Sequence, residues 1–556
     1  MRAANGLARI LKAEGVEWVS TFPTCGVNNA LAQEGIRLLM MRDERYAVAV
    51  ADAFSRLTGG AKVGVCTVMG GVNAAGLQMA YGALAQAFED SSPVLCITDG
   101  VQIAASGNSH YDINLAYKSV TKWIGQIVQP EQVPEFMRRA FTFLRTGRPG
   151  PVLVTIPRNL CQQEYDEAAH PYRPVKGWRS APDPDDVKAA VTALLAARNP
   201  LLYVGEGVYY GHAAFELRQF AELAQVPVLT TLKAKSVFPE DHPLSVGVRG
   251  ELASHFLQKC DLLFAIGSSL SPNRFSHSIP DANRKTIVQC TMDELDINKS
   301  YLVDYAVVGD AGLTLRALIE ELSRQTGGGR SENRELLEEI RTAKARFLAR
   351  YHPLMESGDK PINPYRVYGD LMKTIDRNNS FVTHDSGNTR DQLSTVYEAL
   401  IPRGFMGWGN VSSLGFGLAA AVAAKLAYPE RQCVNVTGDA GVGYMVGNLE
   451  ALVRNKIGVT TIHINNGGFA GYGPGFWGPG HDPFTCEVCD HSVHDMSRAA
   501  EAMGYYAEDI VEPEGIVPAL ERAFSENARQ RPAYLEVICS QYPVFGPWIS
   551  DPRLGH

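Results

Sequence analysis

The sequence predicts an α/β protein made of three doubly wound, parallel-sheet domains. Three observations carry this expectation. Short β-branched apolar runs alternate with helical segments through most of the chain. Gly-rich turns follow several of those runs, as at 69–73, 205–211 and 438–441. At 556 residues the chain is too long for one core, and Pro- or Gly-rich linkers at 170–185 and 325–331 divide it. The expected domains are 1–169, 185–324 and 360–540, followed by a tail at 541–556.

Composition narrows the class. Hydrophobic residues make up 45% and charged residues 20% of the chain, the balance of an ordinary globular protein. A formal net charge of −8 argues against nucleic acid or an anionic membrane as the main partner. The stretch MRAANGLARILKAEGVEW is broken by polar residues and has no cleavage site, so no signal peptide is expected. No apolar run reaches membrane-spanning length. Ten scattered cysteines, several in apolar runs such as VGVCTV, read as reduced, buried thiols of a cytoplasmic protein. Cys486 and Cys489, with His491 and His494, are zinc-binding residue types, but the second pair follows too closely for a common finger. A solvent-facing loop is expected there.

In the first domain a helix over 6–14 leads to a strand at 17–21, a helix at 30–34 and a strand at 38–41. Asp43-Glu44-Arg45 precedes a helix over 46–58 whose small residues allow close packing. Strands follow at 62–68, 92–98 and 152–156, and a helix covers 130–146. In the second domain strands are expected near 201–204, 228–231, 262–266 and 286–289. Gly205-Glu206-Gly207 with Gly211 nearly makes a dinucleotide fingerprint, but the third Gly is one place late. A tight turn into a helix is expected, with neither FAD nor ADP. A charged helix over 332–350 leads to the third domain, where a helix at 365–376 feeds a strand at 380–383 and the turn His384-Asp385-Ser386-Gly387-Asn388.

The chain is organised around 432–473. This stretch reads as a strand, the turn Gly438-Asp439-Ala440-Gly441, an amphipathic helix at 448–454, a strand at 459–464, and Asn465-Asn466. In a parallel sheet Asp439 and the Asn pair share the carboxyl edge, where open α/β sheets bind ligands. One carboxylate and one amide oxygen beside Gly-rich backbone suit a hard cation such as Mg²⁺, which keeps few protein ligands and takes the rest from water and phosphate oxygens. The loop 469–484 joins Gly hinges to Phe476 and Trp477, a composition suited to closure over a substrate or to an ordered surface or subunit contact. The last strand, 533–538, is followed by an aromatic, Pro-bearing tail.

Gly438-Asp439-Ala440, with Asn466 placed 27 residues after Asp439, resembles the cofactor signature of thiamine-diphosphate enzymes, most closely the acetolactate-synthase-like group. RDER…ADAFSRLTG, SVTKW and RTGRPGPVLVTIPRN extend the resemblance along the first domain, and GWGNVSSLGFGLAAAVAAKLA extends it into the third. The family usually has Gly where Ala440 stands, a small change that should still permit the turn. The resemblance implies thiamine diphosphate and Mg²⁺, with Asp439, Asn466 and the Gly468 carbonyl as metal ligands. It implies contacts from Gly387 and Asn388 to the diphosphate, from the Ser412 carbonyl to the 4′-amino group, and from Leu414 as an apolar wedge between the cofactor's rings. Gly438, Ala440, Gly441 and Phe469 complete the implied cofactor-binding set. The alternative for Leu414 is the first core residue of the following helix.

The family's catalytic glutamate falls on Glu44. A carboxylic acid hydrogen-bonded to the pyrimidine ring nitrogen favours the imino tautomer that accepts the thiazolium C2 proton, and burial should raise its pKa towards neutrality. Without the cofactor motif, Glu44 beside Arg45 reads as an exposed charged corner. Family members often have Gln in the loop before the SVTK-like segment. Here that loop reads SGNSHYD, and His110 is the candidate, an imidazole able to move protons to a substrate oxygen. The implied function is a C–C bond lyase or carboligase, acetolactate-synthase-like, acting on a 2-oxo acid. The alternatives are a 2-hydroxyacyl-CoA lyase or a 2-oxo acid decarboxylase, and, more remotely, a non-catalytic thiamine-diphosphate-binding protein, against which Glu44 argues. The implied assembly is a homodimer or homotetramer, each active site shared between the first domain of one subunit and the third of another.

Overall fold

The structure is a computed structural model that describes residues 1–71, 75–101, 112–273, 275–407, 410–468, 495–542 and 544–550. By compactness the chain forms two units: 1–179 with 422–429 and 445–456, and 180–421 with 430–444 and 457–556. The first unit holds one sheet and the second unit holds two.

The first sheet contains β1 (Trp18–Thr21), β2 (Arg37–Met40), β3 (Gly64–Val68), β4 (Val94–Gly100), β5 (Trp123–Gln126) and β6 (Val152–Pro157). Its order is β2-β1-β3-β4-β6-β5. The second contains β7 (Pro200–Val204), β8 (Val228–Thr230), β9 (Leu262–Ile266), β10 (Thr286–Thr291) and β11 (Tyr305–Val308), ordered β11-β10-β9-β7-β8. The third contains β12 (Ser380–His384), β13 (Phe405–Met406), β14 (Gln432–Gly438), β15 (Thr460–Asn465), β16 (Tyr506–Ile510) and β17 (Ala533–Ile538). Its order, β13-β12-β14-β15-β17-β16, repeats that of the first sheet strand for strand. Every described pairing within the sheets is parallel. The α/β class read from the sequence is the class observed.

Parallel strands are covered by helices on both faces, so their sequences run apolar without alternation. β4, β6, β9, β12 and β15 are buried along their whole length. The helix Glu44–Leu57 lies so close to the first sheet that a Cβ at Gly64 of β3 would stand 1.9 Å from the Ala51 carbonyl oxygen. Its run of Ala and Val makes that approach possible.

In the second sheet the turn at 205–211 is packed shut. Gly205 N–H donates to the Ile266 carbonyl and Gly207 N–H to the Gly267 carbonyl, each at 2.9 Å. A Cβ at Gly205 would meet Gly267 O at 2.3 Å. These glycines serve close approach of two strand ends, and their amides are spent on that contact. The tail is anchored as far as 550: Tyr365 donates to Val544 O at 2.6 Å, and Arg249 Nε donates to Gly546 O at 2.6 Å. Among the described residues no helix is long and apolar enough to cross a membrane. Eight of the cysteines are free and buried, and burial pushes the Cys161 thiol up to about 12, where it is unreactive.

Arg56 is fully buried and bonds Asp52 through Nε at 2.7 Å and Nη2 at 2.8 Å, with Asp90 Oδ2 at 3.0 Å from Nη2. Replacing one member of such a cluster strands the others in a dry site. Arg56→Met should therefore destabilise the first unit by about 3–5 kcal/mol, read as a lower midpoint for the first unfolding transition.

Candidate active site

The third sheet gathers three strand ends on one edge. After β12 the chain turns out to β13, whereas β14 lies on the other side of β12, and this divergence opens a crevice at the carboxyl ends. β14 ends at Gly438 and β15 at Asn465, with Gly438 opposite Ile464 in register, so Asp439 and Asn465-Asn466 emerge side by side. The stretch expected as a turn is instead the start of a helix, Asp439–Met445, that follows the strand directly. Gly441 permits this: a Cβ there would lie 2.3 Å from Thr437 Oγ1 and 2.7 Å from Asp385 Cγ. Ala440 is helical and not among the residues of positive φ, so its methyl brings no strain.

The two oxygens of Asp439 face different partners. His463 Nε2 lies 2.9 Å from Oδ1, while the backbone N–H groups of Asn466 and Gly468 donate to Oδ2, each at 3.3 Å. One atom of the Asn466 side-chain amide lies 3.0 Å from Asp439 Oδ2 and 2.9 Å from the Gly468 carbonyl oxygen. As nitrogen, that atom donates to both. As oxygen, it joins them in a cluster of oxygens that only a cation can hold together. Bonds of about 2.1 Å to an octahedral Mg²⁺ place neighbouring ligand oxygens about 3.0 Å apart, so the donor set and its spacing fit that ion. Among the described residues no cluster of three His, Cys, Asp or Glu side chains forms a metal site.

A second carboxylate organises the rest of the cradle. Asp385, fully buried at the end of β12, accepts from the backbone N–H of Ser386 at 2.8 Å and of Gly415 at 3.1 Å on Oδ1. Its Oδ2 accepts from Gly415 at 3.0 Å and from Gly417 at 3.3 Å. The 386–388 turn and the 412–417 segment are thereby pinned to one side chain. Gly387, at φ +90°, caps the helix Asn388–Val396 and stands exposed, with Asn388 half-buried at the helix start. Helix N-termini of this kind attract phosphate oxygens. Ser412 Oγ touches Ser386 Oγ and accepts from Arg390 Nη1 at 3.2 Å. Leu414 lies two residues before the helix Phe416–Ala427 and is only half-buried, so it is not a core residue of that helix.

Glu44 belongs to the first unit. Asp43 caps the helix Glu44–Leu57 by accepting from Tyr46 N–H at 2.7 Å. Asn448 holds this corner, accepting from Arg42 N–H at 2.9 Å and donating to Asp43 Oδ2 at 2.8 Å. Glu44 itself is buried, at 7% exposure, where an exposed corner was the alternative. Its carboxyl lies against Gly76, where a Cβ would come within 2.6 Å of Oε1. Burial raises its pKa from the ordinary 4.5, with Asp43 adding to the rise and its own backbone N–H opposing it.

His110, Phe469, the loop 469–484 with Phe476 and Trp477, and the Cys486–His494 cluster lie outside the described residues. The sequence reading missed Asp385, Arg390 and His463. Asp385 stood in the quoted turn, but nothing in HDSGN marks its carboxylate as an anchor. His463 carried a signal, as a polar ring in the otherwise apolar or β-branched run TTIHI.

A parallel sheet with a carboxylate, an amide and open Gly turns at its carboxyl edge is the design of an α/β protein that takes a phosphorylated ligand. Comparison with known proteins is specific on this point. Residues 1–121 match the thiamine pyrophosphate enzyme N-terminal TPP binding domain, 187–318 the central domain, and 385–537 the C-terminal TPP binding domain. The chain is 30% identical to the acetolactate synthase large subunit of Parasynechococcus marenigrum, over 83% of this chain and 76% of that one. It is 29% identical to a probable acetolactate synthase large subunit of Methanocaldococcus jannaschii, over 97% and 92%. Likeness to the glyoxylate carboligase of Escherichia coli O157:H7 is 28%, over 97% and 93%. The chain belongs to the thiamine pyrophosphate enzyme family. Its two TPP binding domains indicate thiamine diphosphate as the cofactor.

The raised Glu44 pKa has a consequence for stability. Below the ordinary value of 4.5 the acid is neutral in folded and unfolded chains alike and costs nothing. As pH rises from there to the raised folded value, the unfolded chain releases the proton first, and stability falls. Glu44→Gln removes that loss. The variant should melt above the parent at pH 8, with the gap closing below pH 4.5, as followed by thermal melts across the range.

Proposed function

We propose that this enzyme is a thiamine-diphosphate- and Mg²⁺-dependent C–C lyase or carboligase, acetolactate-synthase-like, acting on a 2-oxo acid. The observation that carries the reading is Glu44, buried so that its pKa is raised, in a chain that also brings the Asn466 side-chain amide within 3.0 Å of Asp439 Oδ2 and 2.9 Å of the Gly468 carbonyl oxygen. A protein that only bound the cofactor would gain nothing from that acid. The names of relatives, acetolactate synthase and glyoxylate carboligase, favour ligation, and glyoxylate is itself a 2-oxo acid.

In this reading residues 1–169 bind the pyrimidine, 185–324 form a middle domain, 360–540 bind the diphosphate, and 541–556 form a tail. Bound thiamine diphosphate supplies a carbon nucleophile and an electron sink. Glu44 holds a proton at the pyrimidine ring nitrogen. Asp439, Asn466 and the Gly468 carbonyl hold Mg²⁺, and Gly387 and Asn388 hold the diphosphate at a helix start. Ser412 would orient the amino group through its carbonyl, and Leu414 would serve as an apolar wedge against the cofactor's rings. Gly438, Ala440, Gly441 and Phe469 line the cofactor, and His110 serves proton transfer to the substrate. The subunits are proposed to assemble as a dimer or tetramer in which Glu44 of one and Asp439 of another serve the same site.

Incubated with thiamine diphosphate, Mg²⁺ and either pyruvate or glyoxylate, the enzyme should release CO₂ and form a ligated hydroxy acid visible by NMR. Asp439→Ala should lose cofactor and metal together while staying folded. Mixing Glu44→Gln with Asp439→Ala subunits should restore part of the activity, because each hybrid contains one unmutated site. Cleavage of a 2-hydroxyacyl-CoA with no turnover of any 2-oxo acid would contradict the substrate class. Subunit exchange without recovery would contradict the shared site.

A further inference from the structure

His463 bears on which of the two Asp439 oxygens is free to meet a cation. The imidazole is 2% exposed and is held at both nitrogens. Nε2 lies 2.9 Å from Asp439 Oδ1, and Nδ1 lies 3.0 Å from the Tyr534 hydroxyl. A carboxylate oxygen only accepts, so Nε2 carries the hydrogen. Both residues stand on strands, His463 on β15 and Tyr534 on β17, and these pair in register with His463 opposite Glu536. Glu536 Oε1 lies 3.8 Å from Nδ1 and is itself held by Asn465 Nδ2 at 2.7 Å, while Oε2 accepts from Ser497 N–H at 2.6 Å. The ring is fixed by sheet backbone and not by a loop.

Oδ1 of Asp439 is thus engaged by a ring N–H at 2.9 Å, whereas Oδ2, which accepts only from two backbone N–H groups at 3.3 Å, faces the Asn466 amide and the Gly468 carbonyl. We infer that His463, backed by Tyr534, is a positioning and specificity residue that restricts Asp439 to one ligand oxygen and so sets the site for Mg²⁺ over Ca²⁺. The inference rests on the proposed cation role of Asp439. Its chemistry follows from the two ions. Mg²⁺ demands six oxygens at about 2.0–2.1 Å, and one oxygen from each of three protein groups leaves room for phosphate and water. Ca²⁺ takes six to eight at about 2.3–2.6 Å and gains from a carboxylate that binds through both oxygens. A hydrogen bond that occupies Oδ1 withholds that second oxygen. It also stops the carboxylate from rotating, so the 2.9–3.0 Å spacing around the Asn466 amide is kept. Groups that orient a metal ligand in this way commonly account for ~10–100-fold in metal affinity.

The test measures thiamine diphosphate binding to the full-length protein by intrinsic fluorescence, with saturating Mg²⁺ or Ca²⁺, and involves no turnover. The parent should bind more tightly with Mg²⁺. His463→Leu should weaken Mg²⁺-supported binding ~10–100-fold and Ca²⁺-supported binding far less, so the preference collapses. Tyr534→Phe, which leaves the ring in place, should move the ratio the same way by a smaller factor. His463→Gln keeps a donor near Oδ1 and should recover much of the preference, separating the hydrogen bond from the bulk of the ring. An unchanged Mg²⁺/Ca²⁺ ratio in His463→Leu, or equal losses with both ions, would overturn the inference while leaving the cofactor reading intact. A parent that binds thiamine diphosphate with neither ion would overturn both.

Discussion

Parallel pairing is the constraint from which the site follows. A strand that must re-enter its sheet in the same direction needs a crossover, and all crossovers leave from the same edge. β12, β14 and β15 are neighbours, so the residues that follow them are brought together however far apart they stand in the chain. Asp385, Asp439 and Asn466 meet for that reason. The first sheet repeats the strand order.

Collecting polar groups at one edge has a cost, because buried backbone amides and carboxylates must find partners. Asp385 meets it by accepting from three turn amides with both oxygens. Glycines meet it by letting segments approach: a Cβ at Gly417 would stand 2.2 Å from Asn435 Oδ1, and one at Gly76 would strike the Glu44 carboxyl. Glu44 is the exception. Its burial raises its pKa and disfavours its charged form, which suits the proton-holding role proposed for it.

How much of this was legible follows the same physics. Central strands were readable because burial on both faces leaves an unbroken apolar run, and the expected 262–266 and 533–538 coincide with β9 and β17. The strands without a sequence assignment, β5, β11, β13 and β16, all lie at sheet edges. There one side is open and the run is interrupted by charge, as in YAEDI, or is only two residues long, as in β13. The side-by-side placing of Asp439 and Asn466 after neighbouring strands was legible from residue type and spacing. The Asp385 anchor and the His463 contact were not, because each is a side-chain bond made across strand ends by residues with many other uses. The turn expected at 438–441 is a helix because the close fit of Gly441 against Asp385, invisible in the sequence, lets the strand pass straight into it.

The role proposed for Glu44 is that of an acid acting on the bound cofactor. The direct measurement is the rate at which the C2 proton of enzyme-bound thiamine diphosphate exchanges for deuterium, followed by acid quench and NMR, with no substrate present. Glu44→Gln keeps the size and a hydrogen-bonding side chain, so the cofactor should stay bound. Exchange should slow by ~10²–10⁴-fold. Exchange at the parent rate with the cofactor still bound would exclude that role.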